Sequence, residues 1–97
     1  MFVLVHGAYH GSWCWEPLIE RLNARGQDAV APDLPGHAAK DGWLGQQDMS
    51  SYINAIADLV KGMETSPVLV GHSMSGAVAS GVAERCPDAL EKVIFLA

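Results

Sequence analysis

Basic residues are scarce in this chain. Six lysines and arginines stand against eleven aspartates and glutamates, a net charge of −5 over 97 residues. The six are scattered rather than clustered, which excludes a surface built to neutralise nucleic-acid phosphates. No apolar run comes near the roughly 20 residues that a membrane helix needs. The opening MFVLVHG has four apolar residues after Met1 and no basic flank, too little for a signal-peptide core. Neither a nucleic-acid nor a membrane partner is therefore expected, and a cytoplasmic location is. Cysteine is limited to Cys14 and Cys86, which fall in no C-x-x-C or mixed His/Cys pattern. Two free thiols in a reducing compartment are the expectation, with a disulfide between them as the alternative. The four histidines lie on loops without ligand spacing, so no metal and no cofactor is expected. Repeats, low-complexity tracts and linkers are also missing, and residues 1–97 read as a single domain.

What is present is apolar and regularly punctuated. Hydrophobic residues make up 49% and charged residues 18%, the balance of a chain that buries a core. FVLV (2–5), DAVAP (28–32), PVLVG (67–71) and KVIFLA (92–97) are short apolar runs bounded by turn residues, and read as strands. Between them lie helical periodicities. Trp15, Leu18, Ile19 and Leu22 recur at helical spacing, with Pro17 in the first turn and Gly26 as the stop. Tyr52, Ile53, Ile56, Leu59, Val60 and Met63 form one face of a helix over 50–63. A helix of small residues follows from Met74 to about Arg85, broken by Pro87. Residues 33–47, rich in glycine, read as a long loop that carries His37 in a turn.

Strands that are apolar throughout, separated by helices, predict a doubly wound α/β fold with a parallel sheet of about four strands. The last strand runs into the C-terminus with no covering helix and no charged gatekeeper. A bare apolar edge of that kind predicts the front part of a larger domain.

VLVGHSMSG (68–76) carries the chemistry. A serine at the end of a buried strand and before a helix sits where backbone N–H groups and the positive helix end can hold a developing anion. The turn that exposes it is strained and admits only small neighbours, here Gly71, Ser75 and Gly76. Ser73 is therefore the candidate nucleophile. Ser75 stands where a second glycine is usual, in the first turn of the helix, where its hydroxyl can bond to the backbone. A tight strand–helix connection with capping serines is the alternative reading of the same stretch. HGAYHGSW (6–13), directly after the first strand, weighs against that alternative. An oxyanion hole needs a second N–H from another loop, and Ala8 is placed to donate it together with Met74. His6 and His10 are read as histidines that shape the loop, and Trp13 and Trp15 as core and loop-packing residues. His72, next to the serine, points away from it and is a poor base.

Together FVLVHGAYHGSWCW, VAPDLPGH, VLVGHSMSG and KVIFLA, in that order, resemble the N-terminal half of an α/β-hydrolase. The resemblance covers essentially the whole chain. It is nearest to the branch of plant methyl esterases, hydroxynitrile lyases and bacterial esterases. Members of that branch begin at this first strand, which makes Met1 an expected natural start. The resemblance implies that Ser73 is the nucleophile and that Ala8 and Met74 supply the oxyanion hole. It also implies that the acid and the histidine follow on loops after later strands. No histidine follows Ser73, and Glu84, Asp88 and Glu91 fall on or just after the elbow helix. The expected activity is acyl transfer from a small, apolar carboxylic ester to Ser73, then to water. This chain alone is expected to be nearly inactive, and the missing C-terminal half is its expected partner.

Three alternatives remain. The first is a non-catalytic fragment or one half of a split protein. The second is the lyase chemistry of the branch. The third is cofactor-free perhydrolysis or carbon–carbon hydrolysis on the same fold. The lyases carry threonine at the position of Gly7 and often cysteine at that of Met74, so hydrolysis is the stronger expectation.

Overall fold

The computed structural model describes residues 1–8, 10–35 and 48–97. Strand and helix alternate over them: β1 (Phe2–Val5), α1 (Glu16–Ala24), β2 (Ala29–Val30), α2 (Met49–Lys61), β3 (Val68–His72), α3 (Ser75–Arg85) and β4 (Lys92–Leu96). Short 3-10 turns at Ser12–Trp15 and Pro87–Ala89 lead into α1 and towards β4.

The strands form one parallel sheet in the order β2-β1-β3-β4. Val3 pairs with Val30 on one side and Leu69 on the other, and Leu69 pairs in turn with Val93. The chain winds from β1 outward to β2 and from β3 outward to β4, so the winding reverses between β1 and β3. In open α/β sheets a crevice forms at such a reversal, outside the carboxyl ends of the strands. The loop after β1 and the turn after β3 both enter it.

Side chains alternate across each strand, and the two faces bury separate cores. Val3, Val5 and Leu69 pack with Tyr52, Ile56 and Val60 of α2 and Val78, Ala79 and Val82 of α3. Leu4, Val68 and Val70 pack with Trp15, against which Ile19 and Leu22 of α1 lie. Helices thus cover both faces, as the apolar strands require.

Local chemistry explains the helix boundaries. Pro17 lies in the first turn of α1, where its missing N–H breaks no helical bond. Just beyond the helix, Gly26 takes the left-handed conformation (φ 77°) that stops it. At the start of α2 the Asp48 carboxylate accepts the backbone N–H of Ser51 at 2.8 Å, capping a free donor. α3 is made of small residues, and Ile53 of α2 seats over Gly81, where a β-carbon would lie 2.3 Å from its Cδ1.

Several elements differ from expectation. The strand expected over 28–32 shrinks to Ala29–Val30, because only those residues pair with β1. β3 runs one residue further, to His72, through its pairing with Leu96. Leu18, at core spacing in the sequence, is exposed, and so is Trp13, while Trp15 alone of the pair is buried. In the loop expected over 33–47, Leu34 is fully buried; positions 36–47, including His37, lie outside the described residues. β4 has no neighbour beyond it among the described residues and leaves Phe95 58% exposed.

Candidate active site

β3 ends at His72 and α3 begins at Ser75, so Ser73 and Met74 alone make the turn. A strand cannot enter a helix in two residues without an unusual backbone. Ser73 adopts φ 56°, the one non-glycine positive φ among the described residues. The left-handed region costs an L-residue about 1–2 kcal/mol, so the surroundings must hold Ser73 there. Its N–H donates to the Leu96 carbonyl of β4 at 2.8 Å, and its carbonyl accepts the Gly76 N–H at 2.9 Å. The helix then folds back over the strand. At Gly71 a β-carbon would stand 2.2 Å from the Ser75 carbonyl oxygen. Ser73 itself is exposed at the carboxyl edge of the sheet.

The loop after β1 lies directly against this turn. A β-carbon on Gly7 would fall 3.3 Å from His72 Nδ1 and 3.4 Å from Ser73 Cβ. The loop's shape is set by hydrogen bonds. His6, fully buried, accepts the Leu34 N–H at Nε2 (3.0 Å), which places its proton on Nδ1 and lets Nδ1 donate to the Gly7 carbonyl at 2.8 Å. The same carbonyl accepts the His10 N–H at 3.2 Å. Asp33 accepts the Ser12 N–H at 2.7 Å, so the segment after β2 grips the loop twice. From α3, the buried Ser75 hydroxyl donates to the His6 carbonyl.

These bonds leave the N–H groups of Ala8 and Met74 without an acceptor among the described residues. Met74 sits at the N-cap of α3, at the positive end of the helix. Ala8 follows Gly7 in the loop after β1, and Met74 follows Ser73 in the turn after β3.

A base and an acid for Ser73 are not among the described residues. No imidazole or carboxylate there hydrogen-bonds to it. The His72 ring stacks on His10 (centroids 6.1 Å apart, planes at 6°) and meets Trp15 edge-on at 6.2 Å. Glu91 directly precedes β4, at the amino edge of a parallel sheet whose carboxyl edge carries Ser73. Beside the turn His10, Cys14, Trp15, His72 and Leu96 line a cavity of about 200 Å³. Burial pushes the Cys14 thiol above its usual range, and the negative Asp33 adds to this. A thiol raised in this way stays protonated at neutral pH. Cys14 and Cys86 are both free thiols. No group of three metal-ligating side chains assembles among the described residues.

Two relationships escaped the sequence reading. The stacking of His10 on His72 joins loop and strand residues 62 positions apart, with no local signal. The grip of Asp33 and Leu34 had a partial signal in the D-L-P that follows the second strand.

The model of the alpha/beta hydrolase family matches residues 2–97. A pyrethroid hydrolase of Sphingobium wenxiniae is 38% identical over 95 residues, covering 97% of this chain and 34% of its own length. A rice (Oryza sativa) protein named "Probable esterase PIR7A" is 37% identical over 101 residues, covering 99% of this chain and 38% of its own. The crystal structure of a pyrethroid hydrolase from Sphingobium faniae superposes with a TM-score of 0.85 at 37% identity, covering 97% of this chain and 38% of that one. The chain thus spans little more than a third of the length of these relatives.

Proposed function

Because this chain belongs to the alpha/beta hydrolase family, we propose that it carries the nucleophile and the oxyanion hole of a serine hydrolase acting on small carboxylic esters. Ser73 Oγ attacks the ester carbonyl, and the N–H groups of Ala8 and Met74 hold the tetrahedral oxyanion. The alkoxide leaves with a proton, and water then releases the acyl group from Ser73. The observation that carries this reading is the left-handed Ser73 with the Gly7 backbone packed against it, 3.4 Å from Ser73 Cβ to where a Gly7 β-carbon would be. The printed names of its relatives, pyrethroid hydrolase and esterase, support ester hydrolysis. The apolar cavity next to His72 supports a small, apolar substrate. Gly7 offers no hydroxyl to hold a cyanohydrin, which disfavours the lyase chemistry of the branch.

A base and an acid for Ser73 are not among the described residues. Coverage of only 34% to 38% of the relatives supports a second reading, in which this chain is one part of a catalyst completed by the rest of the domain. A fluorophosphonate probe tests both. Labelling of the wild-type chain that disappears in Ser73→Ala supports a competent nucleophile here. Labelling that appears only when the remaining part of the domain is supplied supports the second reading. Labelling that persists in Ser73→Ala overturns the assignment of Ser73.

A further inference from the structure

Ser75 occupies a position where the elbow usually has glycine, and its hydroxyl is the feature that glycine lacks. The side chain is fully buried and donates to the carbonyl oxygen of His6. Two residues further along the loop stands Ala8, whose N–H is one arm of the oxyanion hole in the reading above. We propose that Ser75 is a positioning residue, bracing the N-terminus of α3 against the oxyanion loop so that the Ala8 N–H faces Ser73.

The geometry of the peptide unit makes the link. The His6 carbonyl and the Gly7 N–H belong to one rigid plane, and the Gly7 carbonyl and the Ala8 N–H belong to the next. Ser75 holds the carbonyl of the first plane. The His6 ring and the His10 N–H, at 2.8 and 3.2 Å, hold the carbonyl of the second. With both carbonyls held, the trans Ala8 N–H has one direction left. Gly7 lies between the two planes and has the freedom to swing if either bond is lost. The brace therefore ties the oxyanion donor on one loop to the helix that begins just after the turn carrying the nucleophile.

The inference rests on the assignment of Ser73 and Ala8, and its test separates the two. Ser75→Ala removes the hydroxyl and little volume. The fluorophosphonate inactivation rate at Ser73 is expected to fall about tenfold to a hundredfold, with the affinity for the probe unchanged. The Ala8 amide resonance, in a ¹⁵N-labelled chain, is expected to move with it. An Ala8 amide that stays in place in Ser75→Ala overturns the brace, whether or not the rate falls. If the wild-type chain is labelled neither alone nor with the remaining part of the domain supplied, the assignment of Ser73 fails, and the Ala8 amide still decides the brace. Should Ser75→Ala fail to fold, Ser75→Cys, with its weak S–H donor, is read in the same two ways.

Discussion

The carbonyl oxygen of Ser75 passes so close to Gly71 that a β-carbon there would stand 2.2 Å from it, with the carbonyl carbon at 2.7 Å and Ala79 Cβ at 3.1 Å. Two of these three atoms are backbone and cannot rotate away. Gly71→Ala must push α3 off the sheet, and with it the turn that carries Ser73. The expected loss is about 3 kcal/mol, a large share of the stability of a chain of this size. Urea unfolding monitored by far-ultraviolet circular dichroism checks it; a variant that unfolds at the wild-type midpoint would contradict the close approach.

Ser73 at φ 56° carries a backbone cost that glycine would not. Two variants that both lack the nucleophile separate strain from chemistry. Ser73→Gly is expected to be about 1 kcal/mol more stable than Ser73→Ala, a gap of about 5 °C in melting temperature. Equal melting temperatures would show that the turn is not strained. Neither variant should react with the fluorophosphonate.

Gly81 is a different kind of close approach. A β-carbon there meets Ile53 Cδ1 at 2.3 Å and Cγ1 at 2.8 Å, atoms of a side chain that can move. Gly81→Ala in the wild-type background is expected to cost about 1 kcal/mol, since the crowding outweighs the gain in helix propensity. In an Ile53→Ala background the crowding is absent, and the same change is expected to stabilise by up to about 1 kcal/mol. A double-mutant cycle on denaturant midpoints measures the reversal of sign.

The cap of α2 predicts a pH dependence. The hydrogen bond from the Ser51 backbone N–H holds the Asp48 carboxyl below its ordinary value, helped by the Ser51 hydroxyl at 3.0 Å. A carboxyl lowered in the folded state stabilises at pH values above its unfolded value, about 4, and loses that contribution as pH falls through the folded value. Asp48→Asn keeps a good capping side chain that does not titrate. The stability advantage of wild type over Asp48→Asn is expected to shrink between pH 6 and pH 3, and a constant difference over that range would contradict the cap.

Much of this was readable one segment at a time. FVLV and PVLVG became β1 and β3 because a strand buried on both faces must be apolar throughout, whereas the equally apolar KVIFLA became β4 with Ile94, Phe95 and Leu96 exposed. The faces of α1 and α2 followed the helical period except at Leu18, which the period assigns to the core and the fold leaves outside. A glycine at Gly71 and a small residue at position 75 were legible from the turn alone, because any strand that reverses into a helix within two residues meets the same crowding. The serine's place at the carboxyl edge of the sheet followed from the same argument.

What local pattern could not supply is the partner across the sheet. β1 and β3 are separated by more than 60 residues, yet Val5 pairs with Gly71. That pairing alone brings the His6 carbonyl to the Ser75 hydroxyl, Gly7 to Ser73 and His10 to His72. The choice of Trp15 over Trp13 for the core, and the burial of Leu34 with its N–H on His6 Nε2, have the same origin. Strand periodicity and turn chemistry act over a few residues and are written in order along the chain. Contacts between loops depend on which strands become neighbours, and that is set by the order β2-β1-β3-β4, which appears when the whole sheet assembles.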